Sequence, residues 1–402
     1  MNFLLDPVNA IANWLRTLFL GWGVPPDVAS FLLSLLGAGI LATGAMLWVI
    51  FLIWYERKLL GRIQDRFGPN RLGPWGVFQP IADMLKIFTK EYITPQGADK
   101  FLYNLAPVLS VASVLMMWVV VPFAVTIYGV DLNVGILYIV AVGALGELAI
   151  IMAGLSSNNK YAMLGAFRVV AQLISYEVPM VISLLVPVML ARTMSMNGLV
   201  IAQDAWYLFT APLAALIFMI TQVAEVGRAP FDLVEAESEI VAGYNIEYSG
   251  LKFGMFYVAE FLHAFTVSLI FATVFLGGWR GPSAEQMPIL GFLYYAVKVA
   301  IVYFIFILLR GSLPRFRIDQ MMDLNWKLLT PLSIAVLAVS AVVDKLLQSI
   351  PVFWNHLALF AANVVILWIS MTILNRRFRR EQTRVAGLEA RPARAVQEHI
   401  SA

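Results

Sequence analysis

There is no cysteine in these 402 residues, so the chain forms no disulfide, holds no zinc by thiolate and carries no iron–sulfur cluster of its own. Imidazole is nearly as scarce: His263, His356 and His399 are the only histidines, which argues against a metal centre or a bound haem. Charge is thin. Only 13% of residues are charged and 60% are hydrophobic, whereas a soluble domain carries roughly 25% and 45–50%. The net charge of +3 is too small to point to nucleic acid. No glycine fingerprint follows a strand, so nothing here reads as an NADH site. The opening residues lack the basic stretch and small-residue cleavage motif of a signal peptide, and Val8–Trp22 reads as an interfacial helix instead.

What the chain has in abundance is long apolar runs. Runs of roughly 18 or more residues read as spanning helices, and nine occur: 30–54, 104–126, 134–155, 161–190, 205–226, 255–277, 289–309, 326–343 and 352–374. The predicted fold is all-α, a polytopic membrane helix bundle of about nine transmembrane helices. The fourth run is too long for a vertical span and is expected to begin near the interface. Residues 1–29 form an interfacial N-terminal segment. Residues 30–375 form the bundle, with loops 55–103 and 227–254, and 376–402 is a basic tail whose end is expected to be loosely ordered. Most of the 28 basic residues fall on the side of those two loops, which makes that side cytoplasmic, with the N-terminus outside and the C-terminus inside. Between residues 75 and 90, Val77, Phe78, Ile81, Leu85 and Phe88 share one helical face, a cytoplasmic amphipathic helix with Pro80 in its first turn.

The segment 227–247 concentrates Asp232, Glu235, Glu237, Glu239 and Glu247 between two spans. Pro230 can start a short helix, placing Asp232, Glu235 and Glu239 on one face. Asp232 and Glu235 could serve as a capping box on a solvated helix, which leaves Glu237, Glu239 and Glu247 unexplained. Close, partly buried carboxylates raise one another's pKa and so can hold and release protons near neutral pH. Three further acids fall within predicted spans: Glu147, Glu177 and Glu225. A glutamate at bilayer depth is costly unless protonated, paired or facing water. Any one of them could be a structural hydrogen bond, but together with the acidic loop they favour a hydrated path. Glu260 and His263 form a single E-x-x-H pair, read as a polar contact between helices because a metal site in a bundle needs two such motifs. Lys298, mid-span, could pair with a buried glutamate or snorkel.

Arginines gather in two places. Arg57, Arg62, Arg66 and Arg71 follow the first span, and Arg310, Arg315 and Arg317 follow the seventh. A guanidinium keeps its charge when half buried and offers a rigid donor fork, which suits a polar head group or an acidic partner. For any single one of them, contact with lipid phosphate is the better explanation.

Several stretches together resemble a known family: ERKLLGRIQDRFGPN at 56–70, QPIAD at 79–83, ISYE at 174–177, RAPFDL at 228–233, the acidic loop through Tyr248, and PRFRIDQ at 314–320. They are similar to the H subunit of proton-pumping NADH:quinone oxidoreductase, the bacterial counterpart of mitochondrial complex I subunit 1, over residues 54–327. The resemblance implies a multi-pass subunit of the bacterial plasma (inner) membrane, bound to other membrane-arm and hydrophilic-arm subunits. Quinone would be the substrate, no cofactor would sit on this chain, and FMN and iron–sulfur clusters would sit on partners. It also implies that Arg57, Arg66 and Arg310 lie along the quinone chamber, and that Pro230 and Phe231 shape the loop beside it. Glu177, Glu225, Asp232, Glu235, Glu237 and Glu247 would form an acidic route into the membrane arm. Glu147 and Glu239 fit that route chemically with less motif support. A homologous subunit of a membrane-bound hydrogenase, or of a complex fed by ferredoxin or a deazaflavin, is the nearest alternative. A stand-alone proton-coupled transporter is a more distant one, since no pair of interrupted spans stands at matching positions in two halves, and a purely structural anchor is disfavoured by the buried carboxylates.

Overall fold

The computed structural model describes residues 7–234, 237–347 and 351–400, with side chains for 8–234, 239–347 and 351–376. The chain runs α1 (Pro7–Gly21), α2 (Pro26–Ile63), α3 (Gln79–Thr89), α4 (Lys100–Trp118), α5 (Gly135–Ser156), α6 (Lys160–Ala191), α7 (Met196–Ala202), α8 (Tyr207–Thr210), α9 (Pro212–Glu225), α10 (Glu237–Ile240), α11 (Gly250–Phe275), α12 (Pro288–Ser312), α13 (Ile318–Leu324), α14 (Thr330–Leu346) and α15 (Val352–Ile400). Among the described residues there is no strand, and eight helices are long and apolar enough to cross a membrane. A bundle is what hydrocarbon demands, because a helix satisfies its backbone internally.

The fifth expected span is the exception. It breaks into α8 and α9 at Ala211, whose φ of −132° and ψ of 60° are not helical. Pro212 explains the break, since a proline pushes the residue before it out of the α region. The eighth span starts earlier than expected, because α13 joins α14 through a π-helical turn at Asn325–Leu329. α6 runs unbroken for 32 residues despite Pro179 and Pro187. The tail expected to be loosely ordered continues α15 as helix to Ile400, in keeping with the helix-favouring Ala, Arg, Glu and Gln that dominate it.

Helix starts follow local chemistry. Asp99 caps α4 by accepting from Phe101 N at 3.0 Å and Leu102 N at 3.3 Å, and Asn159 caps α6 by accepting from Tyr161 N. Pro26, Pro212 and Pro288 lie in first turns, where no backbone N–H is needed. Helices form over the segments expected to be the interfacial and the amphipathic helix, as α1 and α3.

α11 is the axis of the bundle. Of its most apolar stretch 78% is buried, against 17% for α2 and 11% for the span of α15. Those outer helices turn Phe31, Ile40, Leu47, Phe353 and Trp368 outward. Around α11 pack α4, α9, α12 and the far half of α2, so any polar residue on α11 meets neighbours on several sides.

The end of the acidic loop is bolted down. Tyr103 and Tyr248 stack with ring centroids 4.2 Å apart. The Tyr103 hydroxyl donates to the Glu247 carbonyl at 2.6 Å, and Tyr248 donates back to the Tyr103 carbonyl at 3.2 Å. Burial pushes the Tyr248 phenol up to about 12, so it remains a donor. The buried Lys252 ammonium lies 4.2 Å from both the Tyr92 and Tyr103 ring centres, a cation–π arrangement that accepts a desolvated charge. Gly165 makes the loop's approach to α6 possible, because a Cβ there would stand 2.9 Å from Tyr244 N.

Candidate functional site

Two polar groups meet inside the bundle at the end where the acidic loop lies. The first is an ion-pair network centred on Glu56, near the end of α2 and 1% exposed. Arg228 Nη1 donates to its Oε2 at 2.6 Å, Arg310 at the end of α12 donates to its Oε1, and the Tyr303 hydroxyl reaches Oε2 at 3.3 Å. Arg228 also donates through Nε to Glu260 Oε1 on α11, at 3.2 Å, and lies over Phe261 at 4.6 Å. Burial pulls this guanidinium's pKa down, but the Glu56 and Glu260 carboxylates outweigh it and hold Arg228 above the usual arginine range. It is a permanent cation joining two acids.

The second group surrounds a cavity of about 70 Å³ between α4, α5, α9 and α11, room for a few waters on the usual minimum of roughly 10–15 Å³ each. Glu147, Glu225, Glu260 and His263 line it with Gln172, Ser110 and Ser113. Tyr176 on α6 donates to Glu147 at 3.1 Å. Gln222 donates to Glu225 Oε2 at 2.5 Å. His263 Nε2 stands 3.4 Å from Glu225 Oε1 but makes no hydrogen bond there, and Gln172 Oε1 and Gln222 Oε1 are also buried without a partner. Gly143 leaves room beside Glu225, whose Oε1 would be 3.3 Å from an added Cβ. Glu260, one helical turn before His263, belongs to both groups.

The expected site residues divide accordingly. Glu147 and Glu225 come together at the cavity, and Glu177 is half-buried on α6, one residue after Tyr176. Arg310 joins the ion-pair network. Glu239, itself exposed, pairs with the half-buried Arg168 of α6 at 2.5 Å, and Glu247 Oε1 accepts from Asn159 at 2.7 Å. Glu235 lies outside the described residues, and only the backbone of Glu237 is among them. The short helix expected from Pro230 does not form: residues 226–234 are turns and bends, and the helix that follows is α10, only four residues long. Asp232 and Glu239 therefore do not share a helical face. Pro230 O accepts from Phe316 N at 2.9 Å, so the loop is held by a distant segment as well as by its own short-range bonds, such as Phe231 N to Arg228 O at 2.8 Å. Phe231 is buried against Phe316, with ring centroids 5.6 Å apart. Arg57 pairs with Asp83 of α3 at 2.5 Å, and Arg66 is exposed, bonded to Gln64; neither enters the buried network. Lys298 takes neither of its expected options, donating instead to the carbonyls of Gly278 at 2.8 Å and Arg280 at 2.9 Å.

Glu56, Arg228 and Tyr176 lie inside the motifs of the sequence without standing out as site residues, and His263 reads there as a plain helix contact. A lone glutamate followed by Arg57 and Lys58 reads as a surface pair. Its partners are 172 and 254 positions away in the chain, which no local pattern reveals. Among the described residues no three His, Asp or Glu side chains converge as metal ligands.

The family model described as NADH dehydrogenase matches residues 36–341. The NADH-quinone oxidoreductase H subunit of Dehalococcoides mccartyi (strain CBDB1) is 45% identical over 330 residues, covering 82% of this chain and 91% of the relative. The H 2 subunit of the Geobacter sulfurreducens oxidoreductase is 45% identical over 294 residues (71% and 88%), and the H subunit from Geobacillus sp. (strain WCH70) is 42% identical over 313 (77% and 94%). With a matched region that takes in both polar groups and most of the spans, this chain belongs to the NADH dehydrogenase family, as a relative of the H subunits of NADH-quinone oxidoreductase.

Proposed function

We propose that this chain is the membrane subunit that forms much of the quinone chamber of a proton-translocating NADH:quinone oxidoreductase and passes the effect of quinone reduction into the membrane. The observation that carries this reading is a buried polar line: ion pairs run from Arg310 through Glu56 and Arg228 to Glu260, and Glu260 shares a cavity with Glu225, His263 and Glu147, which Tyr176 bonds. Apolar helices surround it, and a buried polar line of this length is costly unless it is used. Arg310 and Phe231 stand at the quinone side, with Arg57 and Arg66 nearer its mouth. Reduction there changes charge beside Glu56 and Arg228. The paired carboxylate Glu260 transmits the change, and the cavity acids take up or release a proton in response. Asp232, Glu235, Glu237, Glu239 and Glu247 supply the route's loop portion, and Glu177 its extension along α6. The chain lies in a bacterial plasma membrane with the acidic loop on the cytoplasmic side. Hydrophilic-arm partners carry the FMN and iron–sulfur clusters.

The test is Glu147→Gln in the assembled complex, in sealed membrane vesicles. Coupled NADH:quinone turnover and proton pumping should fall by roughly tenfold or more, since positioned proton-transfer groups contribute about 10²–10⁴. Wild-type turnover and pumping in a fully assembled complex would overturn the reading.

A further inference from the structure

We infer that His263 is a proton-relay residue of the cavity, carrying protons between Glu225 and the Glu260–Arg228 side; the inference deepens the proton route proposed above and rests on it. Three observations point this way. His263 Nε2 is buried, 3.4 Å from Glu225 Oε1, and without a hydrogen bond. A polar nitrogen left this way costs free energy in a folded protein, and packing alone could have been served by an apolar side chain. Next, the imidazole lines a cavity large enough for water. Gln172, 3% exposed, lines the same space with an unpartnered Oε1, so the lining offers both a donor site and an acceptor site to a ligand of water size. Finally, Glu260 sits one turn away on α11 and is already held by Arg228.

The groups around His263 are mostly carboxyl groups, joined by the Arg228 cation. From α9 comes Glu225, from α5 Glu147, and from α6 Tyr176 with the half-buried Glu177 behind it. The loop contributes Arg228, α11 itself Glu260, and α2 Glu56 through Arg228; α4 offers only the uncharged Ser110 and Ser113. An ionised carboxylate that takes up a proton at one oxygen gives it back from that same oxygen unless the group rotates. Imidazole has two nitrogens on opposite edges and can receive at one while releasing at the other. In the step, the O–H bond of a protonated Glu225 breaks as an N–H bond forms at His263 Nε2. The imidazolium then gives the proton on Nδ1 to a cavity water, leaving neutral imidazole and a carboxylate. Atoms and charge balance without any oxidant or reductant.

The experiment uses the whole complex in sealed vesicles and compares His263→Asn, His263→Ala and Glu147→Gln, with assembly measured as the amount of intact complex on native gels. With assembly intact, His263→Asn should lower coupled turnover and pumping by about tenfold or more, and the pH profile of turnover should lose one ionisation. Added imidazole should restore part of the activity of His263→Ala and none of that of Glu147→Gln. If His263→Asn keeps the wild-type rate and pH profile while Glu147→Gln is impaired, the relay role falls and the acidic route stands. If both variants behave as wild type, the route fails and the relay with it. Lowered turnover with an unchanged pH profile and no imidazole rescue identifies a packing residue and also overturns the inference.

Discussion

The two buried polar groups of this protein differ in how completely they are satisfied. Around Glu56 both carboxylate oxygens are taken, one by Arg310 and one by Arg228 and Tyr303. Two guanidiniums face two carboxylates, so the group is neutral, and Arg228 Nη2 is its unpartnered buried atom. Around the cavity more is left open. Glu225 has one oxygen held by Gln222 and the other beside an unaligned imidazole, and three buried polar atoms lack partners. The contrast separates a fixed anchor from an adjustable site. A paired network holds its charges in place, because losing the Glu56 charge leaves Arg310 uncompensated and Arg228 with Glu260 alone, whereas a more open one can take up a proton with less rearrangement.

The most severe way to break the comparison is to open the closed group. Glu56→Gln leaves Arg228 and Arg310 half paired in the bundle. Breaking one side of a buried pair costs about 3–5 kcal/mol, so the purified complex should melt earlier and assemble in lower yield, as thermal unfolding and native gels would record. Substituting in the open group should do the reverse: Glu147→Gln should leave melting within about 1 kcal/mol of wild type while removing most of the pumping. If both substitutions reduced stability alike, the distinction between anchor and adjustable site would be lost.

Smaller effects sharpen the picture. Lys252→Met removes the cation from between Tyr92 and Tyr103, an interaction of about 2 kcal/mol when desolvated, and hydrogen exchange across residues 243–249 should speed up. Unchanged exchange would mean that the tyrosine stack alone pins the loop. Gly143→Ala crowds Glu225 by a few tenths of an ångström and should lower turnover only about twofold; a wild-type rate would show that Glu225 has room to shift. Arg57→Gln should change least. Its partner Asp83 is reached from a half-exposed position, where such pairs contribute about 0–1 kcal/mol, and a large loss of quinone reduction would instead place Arg57 in the chamber.

Much of the architecture is legible without coordinates, because hydrocarbon imposes a length and an apolarity that local sequence must meet. The spans carried by α5, α11 and α12, and the amphipathic α3, read directly from their runs, whereas the second run, 104–126, overshoots α4, which ends at Trp118. The break at Pro212 was legible in principle, since proline acts on its immediate neighbour, but a hydropathy run averages over it. The helix expected at Pro230 shows the limit of capping rules. Asp232 has the residue type of a cap, yet Pro230 O bonds to Phe316, more than eighty positions on, and tertiary contact overrides local preference.

The sequence by itself determined that this chain is helical and membrane-embedded, and that it carries acids where acids are costly, because composition and periodicity act over a few turns of chain. Only the tertiary structure decided which of those charges meet. Glu56, Arg228, Glu260 and Arg310 come from four separate segments, and His263 gains its meaning from Glu225 on another helix. Electrostatics depends on distances in space, and those are set when α2, α9, α11 and α12 pack together.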